Sequence, residues 1–284
     1  MKWKGRQQSR NVEDRRGRSI GGKGIAGVGG GLGLILVIVF TLLNGGSPTD
    51  IINNIGIGEP QSKGTYTGTA REEEMADFVA VVLKDTEEVW TDIFAENGMT
   101  YEKPTLVLFS GQVESACGIA GSAVGPFYCP GDQKLYIDLS FYDELSQRFN
   151  APGDFAMAYV VAHEVGHHVQ TLLGTTEKIM PLRNEMSETE FNRYLVRFEL
   201  QADYYAGVWA HHAQGLGYLE AGDVEEAMNA AHQIGDDTLQ RQARGYVTPD
   251  SFTHGTSEQR MQWFERGFEN GSIQGGDTFN TNNL

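Results

Sequence analysis

Residues 156–173 read AMAYVVAHEVGHHVQTLL, and within them His163, Glu164 and His167 form the pattern His-Glu-x-x-His. Side chains four apart on a helix lie on one face, a turn above one another. Both imidazoles therefore point to one place and can share one Zn²⁺. Glu164, one residue round from the first histidine, is set to take a proton from an attacking water and pass it to a leaving amine. The flanking Ala156, Tyr159, Val160, Val161 and Ala162 are apolar, as a buried helix requires. Gly166 costs a helix about 1 kcal/mol relative to alanine, so it reads as room left beside the metal. The plainer alternative is a surface helix that carries two histidines.

A catalytic zinc takes three protein ligands and leaves a fourth position open. Downstream, residues 187–213 read SETEFNRYLVRFELQADYYAGVWAHHA. Ser187 and Glu190 form a capping box that starts a helix, and Phe191, Tyr194, Leu195, Phe198, Ala202, Tyr205 and Ala206 follow a helical stripe. Glu199 and Asp203 share a face of that helix. Glu199 is the candidate third ligand, and Asp203 the acceptor for the free N–H of a ligating histidine. The reversed assignment exchanges the two roles.

Before this helical half lies a β-rich stretch. TLVLFS (105–110) and QKLYIDL (133–139) read as strands, with Leu135, Ile137 and Leu139 on one side and Tyr136 and Asp138 on the other. Because it shortly precedes the metal-site helix, 133–139 is the candidate edge strand on which a substrate adds as a further strand. Between the strands lies a Gly-rich loop bounded by Cys117 and Cys129, the two cysteines of the chain. Their spacing fits no zinc finger. In an exported domain they form a disulfide whose loop closure contributes roughly 3 kcal/mol. Residues 71–96 read as an amphipathic helix through Met75, Phe78, Val79, Val82, Val89, Trp90 and Ile93.

The ends of the chain are polar. Residues 1–24 hold eight basic and two acidic residues, a net +6 that leaves −22 for the remainder of a chain whose total is −16. An acidic body repels phosphates and excludes nucleic acid as a general partner. Residues 25–43, IAGVGGGLGLILVIVFTLL, hold no charge and are long enough to cross a bilayer once as a helix. The positive-inside rule then puts 1–24 in the cytoplasm and the rest outside the cytoplasmic membrane. Residues 44–70 read as a linker, 71–269 as the metal-binding domain, and 270–284, glycine-rich and polar, as a disordered tail. In FTHGTSEQR, His254 is a candidate donor to a developing oxyanion, and Arg260 a candidate for the same role or for a substrate carboxylate. Alternatively, Thr256 or Ser257 caps a helix and His254 is structural. His168, His211, His212 and His232 read as surface or packing residues.

HEVGHHVQ (163–170) with FELQADYYAG (198–207) resembles zinc peptidases that pair HExxH with a later E-x-x-x-D helix, as the membrane heat-shock and CAAX-processing metallopeptidases do. There the glutamate of the second motif is the ligand, which supports Glu199. Over nearly the whole chain the sequence is similar to the bacterial neutral zinc metallopeptidase family. The likeness covers the opening MKWKGRQQSRNVEDRRG, the apolar stretch, CGIAGSAVGPFYCPGDQKLYIDLSFYDEL (117–145) and IGDDTLQRQARGYVTPDSFTHGTSEQRMQWFERG (234–267). The resemblance implies a zincin-like fold, an active-site helix packed on a small mixed sheet in an α+β domain, and a peptidase using one Zn²⁺ per chain on a peptide or protein substrate. The rival is a zinc-binding envelope scaffold without turnover.

Overall fold

The computed structural model describes residues 1–18 and 66–284. Along the chain lie β1 (Val12–Asp14), α1 (Ala70–Glu96), β2 (Thr105–Phe109), β3 (Gln112–Ser115), β4 (Gly118–Gly121), β5 (Phe127–Cys129) and β6 (Lys134–Asp138). Then come α2 (Phe141–Gln147), α3 (Asp154–Leu172), α4 (Thr175–Ile179), α5 (Glu188–Gly215), α6 (Asp223–Gln233), α7 (Asp236–Arg244) and α8 (Ser257–Asn270). The fold is α+β with a small mixed sheet, as expected.

The sheet order is β1-β2-β6-β5. Strands β1, β2 and β6 run parallel, and β5 pairs antiparallel with β6, Tyr128 opposite Leu135. Alternation along the strands gives the sheet two buried faces. Leu106, Leu108, Leu135 and Ile137 meet the helices, while Val107, Phe109 and Tyr136 pack beneath the β3–β4 hairpin. The edge strands are therefore β1 and β5. The expected edge, residues 133–139, is interior because β6 is paired on both sides. The Cys117–Cys129 disulfide is present and ties β5 back to the hairpin loop.

Helix starts follow local chemistry. Thr69 with Glu72, Ser187 with Glu190 and Thr256 with Gln259 each form a capping box. Helix α3 is buried from Phe155 to Gln170, so it runs through the core rather than over it. Gly166 is needed for a reason other than room at the metal. A Cβ there would lie 2.8 Å from the Ala202 carbonyl oxygen and 3.0 Å from its Cα, so glycine lets α3 and α5 meet backbone to backbone.

The head departs from expectation. Residues 1–18 belong to the same folded body as the domain. Strand β1 pairs with β2 (Val12 opposite Leu106), and the Ser9 N–H donates to the Ala80 carbonyl at 2.9 Å. Trp3 meets the ring of Phe78 edge-on, with centroids 5.4 Å apart. The basic charges find acidic partners on the domain: Arg6 pairs with the buried Asp85, and Arg16 reaches Glu73 at 3.1 Å. Glu87 accepts from Ser9 and Asn11 at 2.5 and 2.7 Å, and the Met1 ammonium sits 2.6 Å from Asp154 and 3.3 Å from Asp223. The head expected to stand apart from the domain is corrected, over residues 1–18, to a head inside the fold, with β1 paired to β2. The apolar stretch 25–43 and most of the expected linker lie outside the described residues. Among the described residues no helix is long and apolar enough to cross a membrane.

The C-terminal segment is also held, against the expectation of disorder. The Thr278 hydroxyl donates to the Arg197 carbonyl at 2.6 Å, and Tyr204 Oη donates to the Ser272 carbonyl at 2.8 Å. A backbone carbonyl and a tyrosine hydroxyl of α5 thus supply partners that a glycine-rich segment cannot supply for itself.

Candidate metal centre

Helix α3 brings His163 and His167 one turn apart, with ring centroids separated by 4.8 Å. The close α3–α5 crossing at Gly166 sets Glu199 opposite them. Glu199 Oε2 lies 3.1 Å from His163 Nε2 and 3.5 Å from His167 Nε2. One donor atom from each of the three falls within 4.8 Å of the others, and all three residues are buried. Two imidazole nitrogens and a carboxylate oxygen are a donor set that suits Zn²⁺.

The other ring nitrogens are held from behind. His163 Nδ1 lies 2.8 Å from Asp203 Oδ1, so its N–H donates there and Nε2 is the nitrogen that faces Glu199. Asp203 is fixed in turn. It accepts from Tyr159 Oη at 2.6 Å and from Arg260 Nε and Nη2 at 2.9 and 3.0 Å. His167 Nδ1 lies 2.8 Å from Gln170 Oε1, and Gln170 Nε2 donates to the Phe198 carbonyl at 2.7 Å. Gln201 continues this line to the Gly276 carbonyl at 2.6 Å, so the C-terminal segment backs the second ligand. The geometry matches the first of the two assignments, with Glu199 facing both imidazoles and Asp203 behind His163.

The charges agree with a cation site. Burial disfavours ionised Glu199, yet His167, His254 and His163 hold its carboxyl well below the ordinary range. Burial likewise opposes a charged Asp203, but Arg260 and His163 bring it down to about 2. Burial also opposes a charged His163, and Asp203 and Glu199 overcome it, raising the group to about 10. A divalent ion bound between the imidazoles and Glu199 would replace that proton. Glu164 is different: burial raises its carboxyl, and its Oε2 is buried without a hydrogen-bond partner among the described residues. A buried acceptor left open beside three converging donors fits a centre that receives a metal and a water.

The remaining candidates separate. His254 reaches the site, lining one cavity with Glu164, Glu199 and His163. Its Nδ1 lies 3.4 Å from Asp236 Oδ1, and Asp236 Oδ2 accepts the backbone N–H groups of Thr253, His254 and Gly255. Burial works against a charged His254 ring, and Glu199 and Asp236 raise it. Arg260 lines the same cavity, and its buried guanidinium is engaged with Asp203, so it holds that carboxylate in place. His168 is a core residue, bonded to the Glu102 carbonyl and to Tyr128 Oη, and burial lowers it to about 4. Tyr159, Gln170 and Gln201 were missed. Tyr159 stands four before His163 and Gln170 three after His167, so helical spacing was the available signal.

Three ligand-type side chains on two packed helices, with an unpartnered buried glutamate beside them, define a candidate single-metal centre of the HExxH kind. The chain belongs to the family described as "Putative neutral zinc metallopeptidase", whose family model matches residues 1–279. It is 50% identical to the uncharacterized protein YpfJ of Escherichia coli, over 98% of this chain and 99% of that one. It is also 43% identical to the uncharacterized protein Rv2575 of Mycobacterium tuberculosis, over 65% of each. No solved structure matches the chain.

Proposed function

We propose that this protein is a zincin-like peptidase that hydrolyses peptide bonds with one Zn²⁺ held by His163, His167 and Glu199. The observation that carries the reading is Glu164: a buried carboxylate with one unpartnered oxygen, one residue along α3 from the first ligand. Bound zinc supplies Lewis acidity, which activates a water and polarises a carbonyl. Glu164 takes the proton from the attacking water and returns it to the leaving amine, a role suited to its raised affinity for protons. His254, steadied by Asp236, donates to the oxygen on which charge develops. Asp203 and Gln170 hold the two imidazoles in the tautomer that offers Nε2 to the metal. The edge strand β5 offers backbone groups to an extended substrate. The family description supports zinc and peptide hydrolysis as the pairing.

The test uses the full chain, because residues 1–18 are part of the fold. Glu164→Ala should keep zinc and lose hydrolysis of a casein or mixed-peptide substrate by about 10²-fold or more. Hydrolysis at the wild-type rate in that variant would sink the mechanism.

A further inference from the structure

The metal centre lies between two cavities. His167, Glu199 and His254 line both of them. The first is walled by Val124, Pro126, Phe141, Phe149, Ile234 and Leu239. The second is walled by Tyr128, Pro130, Met180, Leu195 and Phe198. Neither wall carries a charged side chain apart from those of the metal centre and Arg260, and Arg260 is committed to Asp203. A charged substrate side chain entering either cavity would lose its water and gain no partner, whereas an apolar one gains by burial.

The two cavities also stand at the two ends of one strand. Val124 and Pro126 lead into β5, and Pro130 follows it. Among the described residues β5 pairs only with β6, so its outer edge is free to take another strand. Antiparallel addition is the more stable pairing per residue. A peptide running antiparallel to β5 passes Pro130 first and Val124 last. Its residue before the bond beside Glu164 falls at the second cavity, and its residue after that bond at the first.

From this placement we infer that the protein selects extended peptides with a bulky apolar residue on each side of the scissile bond. The first cavity takes the residue after the bond and the second the residue before it. This rests on the peptidase reading for its cleavage and on the cavities themselves for its selectivity, so the two can fail separately.

The experiment pairs cleavage with binding on the zinc-loaded full chain. Cut sites in a pool of short random peptides are mapped by mass spectrometry. Leu, Phe or Met should flank the cut about tenfold or more over Asp, Lys or Ser, as expected for apolar pockets. Leu239→Glu, at a half-buried position, should shift the preference after the bond toward Lys and Arg and leave the preference before it unchanged. Met180→Glu should do the reverse. In the binding arm, zinc-loaded Glu164→Ala is titrated with fluorescein-labelled peptides carrying a central Leu-Leu or Asp-Asp. Leu-Leu should bind about tenfold tighter or more, and Leu239→Glu should shrink the difference without removing it, because the second cavity stays apolar. Cleavage without an apolar preference, or equal binding of the two peptides, overturns the inference. Selective binding with no cleavage of any peptide upholds the cavities and overturns the peptidase reading instead.

Discussion

The metal centre joins His163 to Glu199 and Asp203 across 36 and 40 positions, whereas the head joins Arg6 to Asp85 across 79 and Met1 to Asp223 across 222. The first region is a product of two helices and one close crossing. Once α3 and α5 form, 3.6-residue periodicity already groups the donors. The second exists only on a finished domain, because β1 has three residues and needs β2 beside it. The difference teaches that chemistry here is encoded locally and the frame around it is completed from afar. Each region should therefore be separable by mutation.

The largest separation is at a ligand. Glu199→Ala should abolish stoichiometric zinc after dialysis, read by metal analysis, while the head contacts stay in place. A zinc-replete variant would remove Glu199 from the ligand set. An all-or-none outcome also tests the head. In intact cells, Arg10→Cys and Glu258→Cys, both at exposed positions, should react alike with a membrane-impermeant maleimide. Labelling of only one would separate the head from the domain and break the β1–β2 pairing.

Within α3 the contrast narrows to two neighbours. His167 faces Glu199, and His168, about 100° round the helix, is sealed in the core. Its folded-state value is lowered from 6.5 to about 4, so the unfolded chain binds more protons between these values. Stability is therefore full above pH 6.5 and falls as pH drops toward 4, by about 3 kcal/mol for this group. Urea unfolding of wild type and His168→Gln across that window checks it, because the variant should lack this part of the slope.

Two smaller effects complete the comparison. Trp3→Ala removes a half-buried ring from Phe78 and should cost about 2 kcal/mol in unfolding free energy with zinc content unchanged. Gln170→Ala should instead lower zinc affinity about tenfold, and the bonds it loses to the Phe198 carbonyl and Gln201 should cost about 1–3 kcal/mol as well. If Trp3→Ala released zinc, the two regions would be coupled and the contrast would fail.

Periodicity and caps are the parts of the fold legible in the sequence. The spacing of His163, His167, Glu199 and Asp203 was enough to name the centre, and Ser187 with Glu190 marked the start of the second helix. Leu135 and Ile137 against Tyr136 gave a strand, and its two faces are as expected. The edge was misplaced because β5 is only three residues inside a Gly-rich loop and has no alternation long enough to see. The head was misread for a related reason. VED shows no apolar pattern, and a cluster of arginines is equally at home beside lipid or beside Asp85, Glu73 and Glu13. Glycine content predicts a loose tail, whereas the α5 groups that hold it lie about 70 to 80 positions earlier.

The central claim is a zinc ion at one place, and an anomalous difference map at the zinc edge from crystals of the zinc-loaded full chain addresses it most directly. The expected result is one strong peak, about 2.0–2.2 Å from His163 Nε2, His167 Nε2 and a Glu199 carboxylate oxygen. A map with no peak there, or with its zinc among Asp154, Asp223 and Glu226, would contradict it.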